Sequence, residues 1–247
     1  MSDALTETFE AMLVAEAPVA RWNALTSGLA SIGLDQINYA FLDFGTYGRM
    51  DARGDPAMST MRRDWIDHYT SQQYDMADEI VAHVRAGRFD PKFFRLSRPD
   101  HFEHRTMAEE AREAGLKAGL LTPLPGPWGD CLPAAGIVMG SSLGEDEAET
   151  IARAHGPQLI ALAHVLHVGM SGELLRLRAG AGRLSARERD CLEGLARGLR
   201  IARIADRLTL AEATVNLHLR NARRKLAART LPEAVAKAIL YRQIELC

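Results

Sequence analysis

The 247-residue sequence has only three cysteines, and they lie far apart. Cys131, Cys191 and Cys247 form no CxxC pair, which argues against a disulfide framework and a cysteine-based metal site. The first residues are acidic where a signal peptide would be basic, so we expect no leader. The sequence also lacks an apolar run long enough to cross a bilayer; the best candidate, residues 159–170, is short and contains two histidines. We therefore expect a cytoplasmic protein.

Charge is distributed unevenly along the chain. Residues 174–247 carry 16 Lys and Arg against 7 Asp and Glu, whereas the 173 residues before them carry 14 against 25. An acidic body joined to a basic C-terminal part is typical of an intracellular nucleic-acid-binding protein with a separate sensing domain. The chain is long enough for two domains, each with its own core.

Hydrophobic periodicity predicts two parts of different fold class. Over residues 1–170, helical and strand-like runs mix without the regular βαβ alternation of a doubly wound sheet, which predicts an α+β sandwich with an antiparallel sheet between helices. Residues 171–182, with an Ala-Gly-Ala-Gly stretch, are the predicted linker. Residues 183–247 are predicted to be all-α with four helices. The strand-like runs are 36–44, 116–124 and 132–140. The helical segments before the linker are 4–32, which Pro18 should break or kink, 58–70, 78–84, 102–114 and 145–168.

The first helix of the C-terminal part has well-defined end signals. Ser185 and Glu188 form a Ser-x-x-Glu capping box, in which each side chain satisfies a backbone amide of the other residue. Gly198 is predicted to end this helix in a left-handed conformation. A short helix over residues 201–208 and a tight turn lead into a third helix, about 211–226.

The third helix is predicted to carry amide and guanidinium groups on its outward face. Arginine can bond the two acceptors of guanine, asparagine can bond the donor and acceptor of adenine, and further basic groups bind phosphates. A short helix, a turn and a longer basic helix form the layout of a helix-turn-helix, which predicts binding to double-stranded DNA. The polar residues of this helix are Asn216, Arg220, Arg223, Arg224 and Lys225.

Many residues of the terminal domain form one pattern along the chain. They are Leu184 to Leu192, Ala196 to Gly198, Ile204, Ala205, Leu208, Thr214, Val215, His218, Asn221, Lys225 and Leu226. This set resembles the LuxR-type helix-turn-helix of transcription regulators. The resemblance implies that the third helix enters the major groove, that Asn216, Leu217 and Arg220 read bases, and that Arg223, Arg224 and Lys225 lie nearer phosphates, with Thr214 also in the DNA-binding set. Ala211 replaces the usual capping Ser, which weakens the start of this helix by about 1 kcal/mol. Leu231 replaces a usual Arg.

Aromatic residues and one carboxylate stand out in the N-terminal part. Trp65 and Tyr69 are four residues apart and share a helix face, and Tyr74 and Asp78 follow. The indole N–H can donate a hydrogen bond, the carboxylate can accept one, and the aromatic rings can surround an apolar group. These properties suit a small ligand with a carbonyl, an amide and an alkyl tail. By spacing alone, aromatic core residues and a helix-capping Asp78 explain the pattern better.

The same residues, with Ala114, Gly115, Leu116, Gly119 and Pro123 downstream, are similar to the autoinducer-binding domain of quorum-sensing LuxR-type regulators, over about residues 22–167. The resemblance implies an α-β-α sandwich that encloses an N-acyl homoserine lactone, with no other cofactor. It implies that Trp65 donates to the lactone carbonyl, that Asp78 accepts from the amide N–H, and that Tyr69 and Phe94 wall the head group; Tyr74 and Met61 complete the expected site.

Three positions depart from this family pattern. Glu79 replaces the usual Pro, Met61 replaces a Tyr that often bonds the acyl carbonyl, and Ala135 or Gly136 replaces a Ser or Thr that often does the same. The acyl carbonyl would then lack a protein partner, a loss of about 1–3 kcal/mol unless water fills in. A different ligand therefore stays open beside the lactone.

The motifs predict a ligand-responsive homodimer on a roughly palindromic DNA site, and they leave other functions open. A ligand-independent regulator, or a partner that blocks other LuxR-type proteins by dimerisation, has the same motifs. A serine esterase is suggested by residues 140–144, which match G-x-S-x-G around Ser142, but no βα repeat surrounds them. His101 and His104 have no further ligand at metal-site spacing. We therefore expect neither an enzyme nor a metal protein.

Overall fold

The computed structural model describes residues 2–41, 58–97, 105–126 and 133–245. The chain divides into two compact units, Met1–Gly169 and Met170–Cys247. The domain limits taken from the sequence, 1–170, 171–182 and 183–247, stay a prediction. None of the helices in the described ranges has the length and apolar composition that a bilayer crossing requires.

Within the described ranges, the first unit consists of helices on both sides of a five-stranded sheet. Its helices are α1 (Ser2–Val14), α2 (Pro18–Ser31), α3 (Arg63–Ser71), α4 (Glu79–Arg85), α5 (Arg105–Glu113) and α6 (Glu145–Arg178), which continues into the second unit; a 3₁₀ turn covers Tyr74–Met76. Its strands are β1 (Gln36–Phe41), β2 (Met58–Ser59), β3 (Lys92–Arg95), β4 (Ala118–Pro125) and β5 (Pro133–Ser141).

The sheet is antiparallel throughout, in the order β2-β1-β5-β4-β3. Neighbouring side chains along a strand point to opposite faces. Tyr39 points to the face covered by α6, where its hydroxyl lies 2.8 Å from Nδ1 of His167. Asn38 and Val138, which are opposite each other in the register, point to the other face, on which the side of α4 that carries Val84 also lies. This arrangement confirms the predicted α+β sandwich.

Strands β2 and β3 were not predicted, and the helix expected over 58–70 begins only at Arg63. The reason is tertiary: Ser59 pairs with Asn38 of β1, and Phe94 pairs with Gly119 of β4. Two- and four-residue strands are too short for periodicity to reveal, so their pairing partners define them.

Residues 171–178, predicted as the start of a linker, are helical. Gly172 permits a close contact, because a Cβ there would lie 2.7 Å from Cγ of Arg242. The guanidinium of Arg176 is buried and bonds to Glu173 and to the carbonyl of Ala181. Packing of this stretch within the second unit therefore extends α6 beyond the predicted end at residue 168.

The second unit contains α7 (Ala186–Ala196), α8 (Ile201–Leu208), α9 (Glu212–Lys225) and α10 (Leu231–Leu240), which confirms the predicted four-helix fold. The predicted capping box between Ser185 and Glu188 is present, and Gly198 has φ of +78°. Helices α7 and α8 approach closely at Gly194, where a Cβ would lie 2.7 Å from Cγ1 of Ile204. A larger residue there would push the two helices apart.

Candidate functional site

Five of the six side chains predicted to bind a ligand meet in one apolar cluster of the first unit, which we call the aromatic cluster: Met61, Trp65, Tyr69, Tyr74 and Phe94. Trp65 is 8% exposed and Phe94 3%. The Trp65 ring centroid lies 5.8 Å from that of Tyr69 and 6.4 Å from that of Tyr74. Other buried members are Leu96, Met107, Ala108, Ala111 and Leu116. The cluster is an apolar part of the core with polar groups at its edge, and the ligand contacts of its members stay predictions.

Asp78, the sixth predicted residue, is bonded to the edge of this cluster. Its Oδ2 accepts the Tyr69 hydroxyl at 2.7 Å, and its Oδ1 accepts the backbone N–H of Ile80 at 2.8 Å, which caps α4. Burial, and then the negative charge of Asp78, raises the pKa of Tyr69 well above its ordinary value, so Tyr69 stays a donor. A carboxylate offers about four acceptor positions. Asp78 can therefore cap a helix, hold Tyr69 and accept a ligand N–H together.

Glu110 of α5 is a polar residue of this region that sequence reasoning missed. Its Oε2 accepts the Tyr74 hydroxyl at 2.7 Å and lies 2.9 Å from Nε2 of His68. The bond from Tyr74, and then that from His68, lowers the pKa of Glu110. These contacts attach α5 to α3 and to the 3₁₀ turn beside Trp65. No sequence signal marked Glu110, because it looks like one of many acidic residues on a solvated helix face.

On the sheet, the two positions considered for a missing Ser or Thr lie on opposite faces. Ala135 is fully buried on the side of Tyr39. Gly136 is on the cluster side, where a Cβ would lie 3.3 Å from Cδ1 of Leu121 and 3.7 Å from Cγ2 of Val84. Of the two positions, Gly136 is therefore the one from which a Ser or Thr side chain would point to the side of the aromatic cluster.

Helix α9 presents the predicted DNA-reading side chains to solvent. Asn216, Arg220, Arg223 and Arg224 are exposed, and Leu217 is 42% exposed; Thr214 is half-buried. The opposite face is buried and consists of Val215, Leu219 and Ala222. Ala211 makes no side-chain capping bond, in line with the missing Ser at that position. The exposed face therefore combines an amide, three guanidinium groups and one apolar side chain.

Lys225 differs from the rest of the predicted DNA-binding set. Its ammonium nitrogen lies 2.7 Å from Oε2 of Glu188, and its side chain is half-buried. Burial acts to raise the pKa of Glu188, but the bonds from Lys225 and Ser185 outweigh it and lower the pKa. Much of the charge of Lys225 is thus neutralised inside the unit, and its contact with phosphate stays a prediction that this geometry disfavours.

Ser142, on which the esterase alternative rests, makes structural hydrogen bonds to Asp35. The Ser142 hydroxyl donates to Oδ2 of Asp35 at 2.6 Å, and its N–H donates to Oδ1 at 2.8 Å. Within the described ranges, Ser142 is hydrogen-bonded to Asp35 and to no histidine, so the triad geometry is missing there. No group of three or more potential metal ligands occurs in the same ranges, and His101 and His104 lie outside them.

Family comparisons assign both parts of the chain. Residues 18–169 match the family of autoinducer binding domains, and residues 183–238 match the bacterial regulatory proteins of the luxR family. The chain belongs to the luxR family of bacterial regulatory proteins. As a luxR-family member it is a DNA-binding transcription regulator with an autoinducer-binding domain and a helix-turn-helix.

Individual relatives agree with this assignment. The transcriptional activator RaiR of Rhizobium etli is 32% identical over 181 residues, which cover 71% of this chain and 72% of RaiR. CepR2 of Burkholderia cenocepacia, described as an N-acylhomoserine lactone dependent LuxR-family transcription factor, has a TM-score of 0.57 at 16% identity, over 72% of this chain and 98% of CepR2. SdiA of Escherichia coli has a TM-score of 0.56 at 16% identity, over 98% of both chains. At this identity the two structures show the fold.

Proposed function

We propose that this luxR-family protein is a cytoplasmic homodimer that encloses an N-acyl homoserine lactone in the aromatic cluster and then binds a roughly palindromic DNA site. The observation that carries the proposal is the convergence of Trp65, Tyr69 and Asp78 at one apolar cluster. An indole N–H, a carboxylate and apolar walls match the carbonyl, the amide and the alkyl arm of such a ligand.

In this proposal each side chain of the site has a defined contact. The Trp65 N–H donates to the lactone carbonyl, and Asp78 accepts from the amide N–H. Tyr69, Tyr74 and Phe94 enclose the head group, and Met61 contacts the start of the acyl arm. The dependence of CepR2 on an N-acyl homoserine lactone supports this ligand class for a chain of the same fold.

Ligand binding acts through folding of the first unit. A ligand that binds only the folded state stabilises it by an amount that grows with the ratio of its concentration to its dissociation constant. Because Trp65 and Phe94 are buried core residues, a ligand that packs against them becomes part of the core of the folded unit. A higher concentration of folded receptor then gives a higher concentration of dimer, and more of the dimer binds DNA.

The DNA contact is made by the exposed face of α9. Asn216, Leu217 and Arg220 face base edges, and Arg223 and Arg224 face phosphates. A dimer presents two such helices to two half-sites, which is why a roughly two-fold-symmetric site is expected.

Helix α6 offers a surface for the dimer. Between residues 154 and 168 its exposed positions carry no carboxylate, ammonium or guanidinium group; they are Ala154, Pro157, Gln158, Ala161, His164 and Val168, the last 53% exposed. A long uncharged face of this kind suits contact with a second copy. Ala161→Arg should convert a dimer to a monomer in light scattering, whereas Arg153→Ala, a nearby exposed change, should not.

The decisive experiment compares receptor stability with and without lactones. The full chain is expressed with a series of N-acyl homoserine lactones, and soluble yield and melting temperature are measured. Trp65→Phe should lose the lactone-dependent rise in melting temperature, whereas Trp22→Phe, an equally buried change in α2, should keep it. No rise with any lactone would refute the ligand assignment and favour a ligand-independent regulator. No preference for any duplex sequence would refute the DNA assignment.

A further inference from the structure

The side-chain oxygen of Asn38 is buried and accepts no hydrogen bond from the residues that the structure describes. A buried acceptor without a donor is destabilising, and folded proteins contain few of them. Neighbouring hydroxyl groups on the β2 side are already engaged: Ser59 donates to the carbonyl of Ile37, and Thr60 donates to that of Asp35. A donor from outside the chain would satisfy this oxygen.

The register of the sheet places Asn38 on the face of the aromatic cluster. Asn38 is directly opposite Val138 of β5, and opposite residues of an antiparallel pair point to the same face. Val138 packs against the aromatic cluster. The next residue of β1, Tyr39, points the other way and bonds His167. The free oxygen therefore lies on the side of the sheet where the ligand is proposed to bind.

Toward β5 and β4, the neighbours of Asn38 on this face are small or apolar. Ala40 and Gly136 form the next pair along the same face of the sheet, and Leu121 lies beyond Val138 on β4. In such surroundings a hydrogen bond is stronger than in water, and an unpaired oxygen is correspondingly costly. Of the two polar groups of the Asn38 amide, Oδ1 is the one that is buried without a partner, so a ligand atom that reaches it is favoured if it can donate a hydrogen bond.

The chemistry of the ligand then limits which group can donate. The lactone head and the amide together carry one N–H, which the proposed function assigns to Asp78. A second donor must belong to the acyl arm, and a hydroxyl is the simplest group that supplies one. An oxo group or an unsubstituted chain offers only acceptors or nothing. We infer that Asn38 makes the receptor selective for an acyl chain that carries a hydroxyl group, which donates to Oδ1; this inference rests on the proposed function.

A competition experiment tests the selection directly. The full chain is expressed with an equimolar mixture of 3-hydroxyacyl, 3-oxoacyl and unsubstituted homoserine lactones of one chain length, and the lactones extracted from purified protein are quantified by mass spectrometry. The hydroxylated lactone should be recovered in about tenfold excess over each of the others. Equal recovery, or an excess of the 3-oxo lactone, would overturn the inference and leave the proposed function standing. Recovery of no lactone would overturn both.

Two substitutions identify the residue responsible. Asn38→Leu keeps the branched shape of the side chain and replaces both polar groups of the amide by methyl groups, so it should still bind lactones but recover the three in nearly equal amounts. Thr122→Val is the matched control, because the Thr122 hydroxyl is also buried without a partner in the described ranges but belongs to the opposite face of the sheet. Thr122→Val should keep the tenfold excess. If Asn38→Leu also keeps it, Asn38 is not the selecting group.

Discussion

The ammonium nitrogen of Lys225 lies 2.7 Å from Oε2 of Glu188, whose side chain is only 5% exposed. The same oxygen accepts the backbone N–H of Ser185 at 2.7 Å. One carboxylate thus holds the beginning of α7 and the end of α9. Helix α9, which is predicted to read DNA, is oriented in its own unit by an ion pair as well as by its apolar face.

Lys225→Met should therefore act on stability. Removing the ammonium group leaves a buried carboxylate without its cation, and we expect a loss of about 1–3 kcal/mol in the free energy of unfolding, reduced from the value for a fully buried pair because Lys225 is partly exposed. Urea unfolding followed by circular dichroism measures this. Arg224→Met, the exposed neighbour, should weaken DNA binding with little change in stability. Equal unfolding of Lys225→Met and wild type would contradict the structural role.

Arg220→Ala should weaken binding to the cognate site by about 1–3 kcal/mol while leaving binding to unrelated duplexes nearly unchanged. The reason is that a guanidinium at a base edge contributes to sequence discrimination, whereas one at a phosphate contributes equally to all sequences. Gel-shift titrations with a selected site and a scrambled duplex separate the two. Arg189→Ala, an exposed change on α7, is the control. An equal loss on both duplexes would place Arg220 at the phosphates.

Tyr69→Phe should reduce both stability and ligand response. The hydroxyl is a buried donor to Asp78, so its loss should cost about 1–2 kcal/mol and leave the carboxylate less fixed for a ligand N–H. Tyr39→Phe removes a similar bond, to His167, on the other face of the sheet. It should lower the melting temperature and keep the lactone-dependent rise. A full lactone response in Tyr69→Phe would show that the hydroxyl does not position Asp78.

Acid should weaken the second unit at Glu173. Hydrogen bonds from Arg176, and then from Arg183, lower the pKa of Glu173 from 4.5 to about 2. A pKa lowered in the folded state gives stability that is present above the unfolded value and is lost as the pH falls through the folded one. Glu173→Gln should thus cost about 1–3 kcal/mol at neutral pH, and its difference from wild type should shrink as the pH falls from 4.5 toward 2. A difference that is constant with pH in urea unfolding would argue against this.

The elements that the sequence predicted well are those with local causes. The start of α7 depends on Ser185 and Glu188, three residues apart, and its end on Gly198, so a short window contains the whole signal. The extension of α6 through residue 178 depends on contact between Gly172 and Arg242, which are far apart in the chain. A stretch of sequence with small residues such as Gly172 resembles a linker as long as its packing partner in the fold is unknown.

In the candidate site, too, residues with a local sequence signal were predicted and residues defined by distant contacts were not. Trp65 and Tyr69 are adjacent on one helix, so their spacing and their family resemblance both marked them. Asn38 gave no signal, because a polar residue within an alternating strand usually faces water. Only its position opposite Val138 shows that it lies above the aromatic cluster. Glu110 went unnoticed for a related reason, since its partners come from two other elements.

The double use of Asp78 limits how this receptor can change its specificity. The carboxylate begins α4 and holds Tyr69, so a substitution there disturbs the architecture before any new ligand is tried. Met61 makes no comparable side-chain bond in the described contacts, and a Cβ at Gly136 requires only a small shift of Leu121. Replacing Asn38 by an apolar residue would remove its unpaired oxygen and so favour folding. Substitutions in the sheet and near the start of α3 should therefore change ligand specificity with less harm to the fold than a substitution of Asp78.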